Sequence, residues 1–199
     1  MSGRVLHALR CLGVTTLPRV AEAAGVGEDD TEAALLELAI GGLVTREPGP
    51  FGGWGLTEAG KAEDAARVGA ELDAAGTRDV LTQAYQKFML LNAEVLDLCT
   101  AWQLRPVGGV TVANDHRDAG YDARVLAELD GLDGRAGVML GELTAALGRF
   151  GRYRERLSRA VELARAGKLE HVADDPVSYH AVWFQLHEDL LVTLGMPRW

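Results

Sequence analysis

Metal-capable side chains occur in two places in the second half of the sequence. Asn114, Asp115 and His116 are consecutive, and His180 and His187 are seven residues apart in a helical segment. Residues seven apart lie on one helix face, so these histidines could share a divalent cation with His116 and Asp115. The spacing matches no established motif such as HExxH, and hydrogen-bonded histidines and capping by Asn114 or Asp115 explain the same residues. We therefore expect no metal or other cofactor, with His116, His180 and His187 as the candidate ligands if one binds.

The main basic cluster is a group of arginines near the middle of the second half. Arg152, Arg156 and Arg159 fall on one face of the helix predicted for residues 152–166. Such a face could bind an anion or a phosphate. Glu155 and Glu162 lie among these arginines, which favours a solvated face or ion pairs between subunits.

Aromatic residues are frequent between residues 85 and 184, and most are expected in a helical core. Two polar residues, Asn92 and Asp97, interrupt the apolar stripe that includes Tyr85 and Trp102. A pocket lined by aromatic rings with a few polar groups would suit a small effector. A filled core is the alternative, and buried polar groups would then need hydrogen-bond partners.

The sequence contains no catalytic motif. The GxSxG nucleophile turn, the phosphate-binding GxxxxGK[ST] loop and a GxGxxG after a strand are all missing, so we expect no enzyme. The two cysteines, Cys11 and Cys99, have no CxxC spacing and lie among apolar residues, which predicts buried free thiols. No apolar run approaches the roughly 20 residues needed to span a bilayer. We expect a cytoplasmic protein without membrane contact.

The first 75 residues follow a characteristic order of elements. Helical spacing predicts helices at about 4–12, 17–25 and 29–40, with Thr16 and Pro18 opening the second. Short strands at 43–46 and 54–56 enclose a segment rich in proline and glycine, which predicts a hairpin. A long helix then starts after the N-cap Thr57 and reaches about residue 75.

Three short motifs in this part, LPRVAEAAGV, LLELAIGGLV and WGLTEAGKA, resemble those of MarR-type and related bacterial winged helix-turn-helix regulators. The resemblance covers roughly residues 4–75 and implies a winged helix-turn-helix domain of three helices and a two-stranded wing. It also implies that the third helix is the recognition helix, which enters the DNA major groove in DNA-bound members.

The remaining residues predict a C-terminal antiparallel helical bundle. Four helical segments are expected at 77–102, 121–147, 152–166 and 176–194, with a loop over 104–118 and Asp175 capping the last helix. The predicted fold class is mainly α. The predicted domains are a winged helix-turn-helix domain at 1–75 and a bundle for dimerisation and effector binding at 76–199.

Charge opposes DNA binding through the predicted recognition helix. The formal net charge is −9, and residues 20–45 contain six acidic side chains and no Lys or Arg. Phosphate contacts by Lys and Arg supply most non-specific DNA affinity. The residues that could still contact DNA are Arg19, Thr31, Arg46 and Trp54.

Two functional hypotheses follow from these observations. The resemblance implies a MarR-like winged-helix transcriptional regulator that binds DNA weakly and is built as a homodimer. The charge favours a winged-helix adaptor or small-ligand sensor that works through protein contacts and does not bind DNA. At the wing tip, Phe51 and Trp54 could form an exposed contact patch for a protein partner. The alternative is that Trp54 packs on the domain core.

Overall fold

The computed structural model describes residues 1–49 and 52–197, and this part of the chain is mainly helical, as the sequence predicts. Two antiparallel hairpins, β1 (Val44–Glu47) with β2 (Gly53–Leu56) and β3 (Leu104–Val107) with β4 (Val110–Ala113), complete the described secondary structure apart from short 3₁₀ turns. Within the described residues, no helix is both long and apolar enough to cross a bilayer. The helices are α1 (Ser2–Leu12), α2 (Leu17–Ala24), α3 (Glu28–Ile40), α4 (Glu58–Ala75), α5 (Arg78–Gln103), α6 (Ala119–Ala146), α7 (Gly151–Arg165) and α8 (Tyr179–Leu194).

The chain divides into two compact units. The first unit is Met1–Gly76 together with Gln185–Trp199, and the second is Thr77–Phe184. The first unit therefore includes a C-terminal segment that the predicted ranges assign to the bundle. This segment carries the second part of α8.

The core of the first unit forms where α1, α2 and α3 pack on one another and on the first hairpin. Leu9, Leu35 and Trp54 are among the buried residues of this core. Trp54 and Thr15 exchange two backbone hydrogen bonds, with N···O distances of 2.7 and 3.0 Å. A Cβ on Gly53 would lie 2.3 Å from the Thr15 carbonyl oxygen, so only glycine permits this approach. Trp54 thus packs on the domain core and does not form an exposed patch, while Phe51 lies outside the described residues.

In the second unit, α5 packs on α6 and α6 packs on α7. The largest buried side chains of this unit include Phe88, Trp102 and Tyr153. The predicted loop over 104–118 is wrong for its first ten residues, which form the hairpin of β3 and β4. Gly108 and Gly109 make its turn at φ values of 58° and 83°, a conformation that glycine adopts without strain. A Gly-Gly pair between β-branched residues indicates a hairpin, but Pro106 nearby favoured the prediction of a loop.

Two helices, α6 and α8, are capped by residues other than the predicted ones. α8 begins at Tyr179 because the Ser178 hydroxyl accepts a hydrogen bond from the Ala181 N–H at 3.2 Å, whereas Asp175 belongs to a preceding turn. α6 is capped by Asp118, whose carboxylate accepts from the Tyr121 N–H at 2.9 Å, and not by Asn114 or Asp115. Thr16 precedes α2 without a side-chain capping bond.

The Thr57 cap is confirmed, and it links the hairpin to α4. The Thr57 hydroxyl oxygen accepts a hydrogen bond from the Gly60 N–H at 3.0 Å and donates to the Gly42 carbonyl at 2.7 Å. A Cβ on Gly60 would lie 2.0 Å from the Leu43 carbonyl oxygen, so the start of α4 lies directly against the chain entering β1.

We predict that Thr57→Val lowers the free energy of unfolding by about 1–2 kcal/mol, because it removes the hydroxyl's bonds to Gly60, Gly42 and Leu43 while keeping the side-chain shape. Chemical denaturation measures this loss. Thr57→Ser is the matched control and should stay within about 0.5 kcal/mol of the native protein. Equal losses in the two variants would contradict a capping role for the hydroxyl.

Candidate functional site

The helix α3 has one face in the core of the first unit and one face on its surface. Thr31, Leu35 and Leu38 are buried. On the opposite face, Leu36 is 53% exposed and Ile40 is 90% exposed. Exposed apolar residues are normal when they occur singly, but residues at this spacing lie next to each other on one helix face.

We call this surface the α3 ridge and define it by Ala33, Leu36 and Ile40. The exposed carboxylates Glu32 and Glu37 flank the ridge on its two sides. Three further exposed acids occupy the first turn of α3, where they interact favourably with the helix dipole; they are Glu28, Asp29 and Asp30. The surface of α3 is therefore apolar along its centre and acidic at its margins and N-terminus.

The four residues predicted to contact DNA do not form one surface. Thr31 and Trp54 are 0% and 7% exposed, so their side chains belong to the core and we remove both from the contact set. Arg46 is exposed on β1, and its guanidinium lies 5.8 Å from the centroid of the Trp54 ring. Arg19 is half-buried on α2.

The residues predicted to line an effector pocket serve as core contacts in the second unit. The Asn92 side-chain oxygen accepts a hydrogen bond from the Trp183 indole N–H at 3.0 Å. Tyr85 stacks on Phe88, which stacks on Trp183 with ring centroids 4.7 Å apart. Trp102 is fully buried and contacts the His116 ring instead, at 4.7 Å between centroids. Asn92 is therefore the partner that the buried indole requires, and Trp102 belongs to a different contact.

Of the three arginines predicted as an anion site on α7, Arg152 packs on an aromatic ring. The Arg152 guanidinium packs over the Tyr153 ring at 4.9 Å from its centroid. Arg156 is half-buried and Arg159 is exposed. Arg154, which sequence analysis did not select, makes a bidentate pair on this helix: it binds both carboxylate oxygens of Asp133, at 2.6 and 2.9 Å.

The histidines predicted as candidate metal ligands are not gathered at one place. His116 Nδ1 lies 3.1 Å from a carboxylate oxygen of Asp122 and 3.2 Å from the Asn114 amide nitrogen. His180 and His187 are half-buried on α8 and belong to different units. Among the described residues, the one group of three ligand types within 4.8 Å of one another is His7, Cys11 and Asp189.

This second candidate site, the His7 cluster, is buried inside the first unit. It consists of His7 and Cys11 on α1, Asp64 on α4 and Asp189 on α8. His7 Nδ1 lies 2.9 Å from Asp64 Oδ2, and His7 Nε2 lies 3.0 Å from Asp189 Oδ1. The Cys11 sulfur lies 3.8 Å from the same Nε2. All four side chains are buried, so one imidazole bridges two carboxylates away from solvent.

Burial and the neighbouring charges act in opposite directions on this imidazole. Burial disfavours its charged form, but Asp189, Cys11 and Asp64 together raise the pKa of His7 well above its usual value. Burial likewise opposes ionisation of Asp64, while His7 and Arg67 lower its pKa. The His7 cluster is thus best described as a buried imidazolium between two carboxylates, with Arg67 at 2.8 Å from Asp64 as a further cation.

Sequence analysis did not find the His7 cluster. The one local signal is the four-residue spacing of His7 and Cys11, which puts both side chains on one face of α1. The carboxylates come from residues more than fifty positions away, so no motif search would join them.

Searches against family models, curated proteins and solved structures give no match to this chain. The resemblance to MarR-type regulators therefore stays a prediction from the three motifs.

The His7 cluster predicts how stability depends on pH. Because the pKa of His7 is raised on folding above about 6.5, its contribution to stability is complete below about pH 6.5 and is lost as pH rises through the folded-state pKa. The pKa of Asp64 is lowered, so its contribution is complete above about pH 4 and is lost as pH falls through the folded-state pKa.

We expect the thermal midpoint of the native protein to fall as pH rises from neutrality. The variant His7→Gln should be less stable, and its thermal midpoint should change little over the same alkaline range. Calorimetry in chelator-containing buffer measures both. His180→Gln, which changes a histidine outside the His7 cluster, is the matched control, and an equal loss of slope in that variant would contradict the role of His7. Identical alkaline slopes in the native and His7→Gln proteins would show that His7 is not the titrating group.

Proposed function

We propose that this chain is a winged-helix protein that acts through protein contacts, with the α3 ridge as its docking surface. The observation that carries the proposal is the composition of the exposed face of α3. That face presents apolar side chains flanked by carboxylates, and α3 contains no Lys or Arg.

The order of elements in the first unit supports the winged-helix part of the proposal. Three helices, a two-stranded antiparallel hairpin and a fourth helix follow one another as in winged helix-turn-helix domains. In this scheme α3 is the helix that would enter the major groove, and the hairpin is the wing. The surface that reads DNA in such domains is then the surface that carries the α3 ridge.

Electrostatics argue against DNA as the occupant of this surface. Duplex DNA carries one negative charge per about 1.7 Å of its axis. The exposed acids of the first turn, Glu28, Asp29 and Asp30, would face this charge at the end of α3 that meets the bases. Arg46 alone does not offset them, and close like charges without counterions are strongly unfavourable.

The apolar and acidic composition of the α3 ridge indicates the kind of protein partner that it would bind. An apolar ridge with an acidic margin complements an apolar groove with a basic rim, in the manner of a helix that docks in a groove. Leu36 and Ile40 would supply the buried contacts. Glu32 and Glu37 would orient the partner and increase its association rate.

The second candidate function is the MarR-like transcriptional regulator. The exposed Arg46 on β1 favours it, because the base of a wing can reach the minor groove. In that case Arg19→Ala and Arg46→Ala would weaken DNA binding, and a homodimer would be required to span two half-sites.

Charge reversal on α3 separates the two functions. We expect the native protein to bind duplex DNA with a Kd weaker than about 10 μM at physiological salt. The triple variant Asp29→Lys, Asp30→Lys, Glu32→Lys should bind at least about tenfold more tightly, because it replaces repulsion of phosphates with attraction. Fluorescence anisotropy with a labelled duplex measures both. The matched control reverses three acids on α4, Glu58→Lys, Glu63→Lys and Asp73→Lys, and should gain less. Nanomolar binding of a specific duplex by the native protein would contradict the proposal.

Photocrosslinking tests the protein contact directly. With a photoreactive amino acid at Leu36, we expect an adduct to a protein in cells of the source organism, and none with the probe at Glu63 on α4. Ile40→Asp in the Leu36-probe background should reduce the adduct strongly, because it places a charge in the apolar contact. Crosslinking of Leu36 to nucleic acid, or to no macromolecule, would count against the α3 ridge as a protein-docking surface.

A further inference from the structure

We propose that His7, Cys11 and Asp189 form a binding site for one Zn²⁺ ion inside the first unit. The three side chains supply an imidazole nitrogen, a thiol sulfur and a carboxylate oxygen, all buried and within 4.8 Å of one another. A nitrogen, a sulfur and an oxygen ligand together are a donor set that zinc accepts readily.

The distances between these ligand atoms suit one ion. With zinc–ligand bonds of about 2.0–2.3 Å, neighbouring ligand atoms of a tetrahedral site lie roughly 3.3–3.7 Å apart. His7 Nε2 lies 3.0 Å from Asp189 Oδ1 and 3.8 Å from the Cys11 sulfur. The Cys11 sulfur and the Asp189 oxygen lie within 4.8 Å of each other, so side-chain adjustments of up to about one ångström would place all three atoms around one zinc ion.

The surroundings supply the partners that metal ligands need. A zinc-bound histidine usually donates its other ring N–H to a carboxylate, which orients the ring. Asp64 Oδ2 lies 2.9 Å from His7 Nδ1, and Arg67 binds the other oxygen of Asp64 at 2.8 Å. The Thr193 hydroxyl lies 3.1 Å from Asp189 Oδ1. His7 and Asp189 are thus both oriented by neighbours within the first unit.

Zn²⁺ can replace protons on His7 and Cys11 without changing the net charge of the cluster. The cluster can give up two protons to a metal when His7 is protonated on Nε2 and Cys11 is a thiol. Zn²⁺ would replace both, forming bonds to the neutral imidazole, the thiolate and the carboxylate, and two protons would be released to solvent. The net charge of the buried cluster does not change, because two protons and Zn²⁺ carry the same charge.

The presence of the Cys11 thiol indicates that the cluster binds a metal and is not only a structural ion pair. Asp64 and Asp189 already satisfy the two ring nitrogens of a buried imidazolium. That pairing does not need a sulfur at the third position, one helical turn from His7 on the same face of α1. A zinc site needs at least three protein ligands, with water or another group at the fourth position, and binding would join α1 to α8 and stabilise the first unit.

Cobalt titration of the full chain tests the site, because Co²⁺ occupies zinc sites and absorbs through its thiolate bond. After chelator treatment, we expect one Co²⁺ per chain with a thiolate-to-cobalt charge-transfer band, and displacement of this band by one equivalent of Zn²⁺. Proton release measured in weakly buffered solution should approach two per metal ion. Absence of the band together with absence of stoichiometric zinc binding by calorimetry would overturn the proposal.

The two cysteines provide a matched pair of variants. Cys11→Ala should remove the charge-transfer band, whereas Cys99→Ala should keep it, because Cys99 lies in the second unit. Asp64→Asn should keep the band but weaken metal affinity about 10–100-fold, since Asp64 orients His7 without touching the metal. Circular dichroism verifies that each variant is folded. A band that survives Cys11→Ala, or that disappears in folded Cys99→Ala, would refute the assignment of Cys11 as the ligand.

Discussion

Asp64 and Asp189 are both fully buried in the first unit, and buried carboxylates require a cation or hydrogen-bond donors. His7 meets this requirement for both residues, since each of its ring nitrogens faces one carboxylate. The imidazole thereby connects α1 to α4 and to the second part of α8. Removing one member of such a network leaves an uncompensated charge in the interior, which costs about 3–5 kcal/mol in comparable buried pairs. The interaction therefore ties the second part of α8 to α1 and α4 within the first unit.

The composition of α3 serves two physical roles. Its N-terminal acids stabilise the helix through the dipole, and its inner face completes the core with Leu35 and Leu38. The same acids make the outer surface unfavourable for a polyanion. Local helix stability and surface charge are therefore coupled in one element: reversing the acids would make the surface more attractive to DNA and would also weaken the start of the helix.

The second unit uses polar residues mainly to satisfy buried groups. Asn92 accepts from the Trp183 indole, and Asp133 binds Arg154 through both carboxylate oxygens. Asn92 thus interrupts the apolar stripe of α5 because the buried indole needs an acceptor. The hairpin of β3 and β4 differs from the rest of this unit, because it exposes three apolar side chains to solvent. These are Val107, Val110 and Val112.

Local signals in the sequence were sufficient for most of the elements. Apolar periodicity predicted the helices from α1 to α7 within a few residues, and Thr57 predicted the start of α4, because helical spacing and capping involve neighbours along the chain. The acidic character of α3 was also visible, since charge needs no knowledge of the fold. The start of α8 and the hairpin of β3 and β4 were missed because a nearby aspartate and proline suggested other turns.

The candidate sites were decided by the tertiary structure. Sequence could not distinguish exposed Leu36 and Ile40 from buried Leu35 and Leu38, since burial depends on which face of α3 the other helices cover. It also could not place Asp64 and Asp189 around His7, because long-range contacts leave no periodic pattern. Residue types along the chain determined the helices and the charge of their surfaces. Only the packing of α1, α4 and α8 brought the one group of metal-capable ligands among the described residues together.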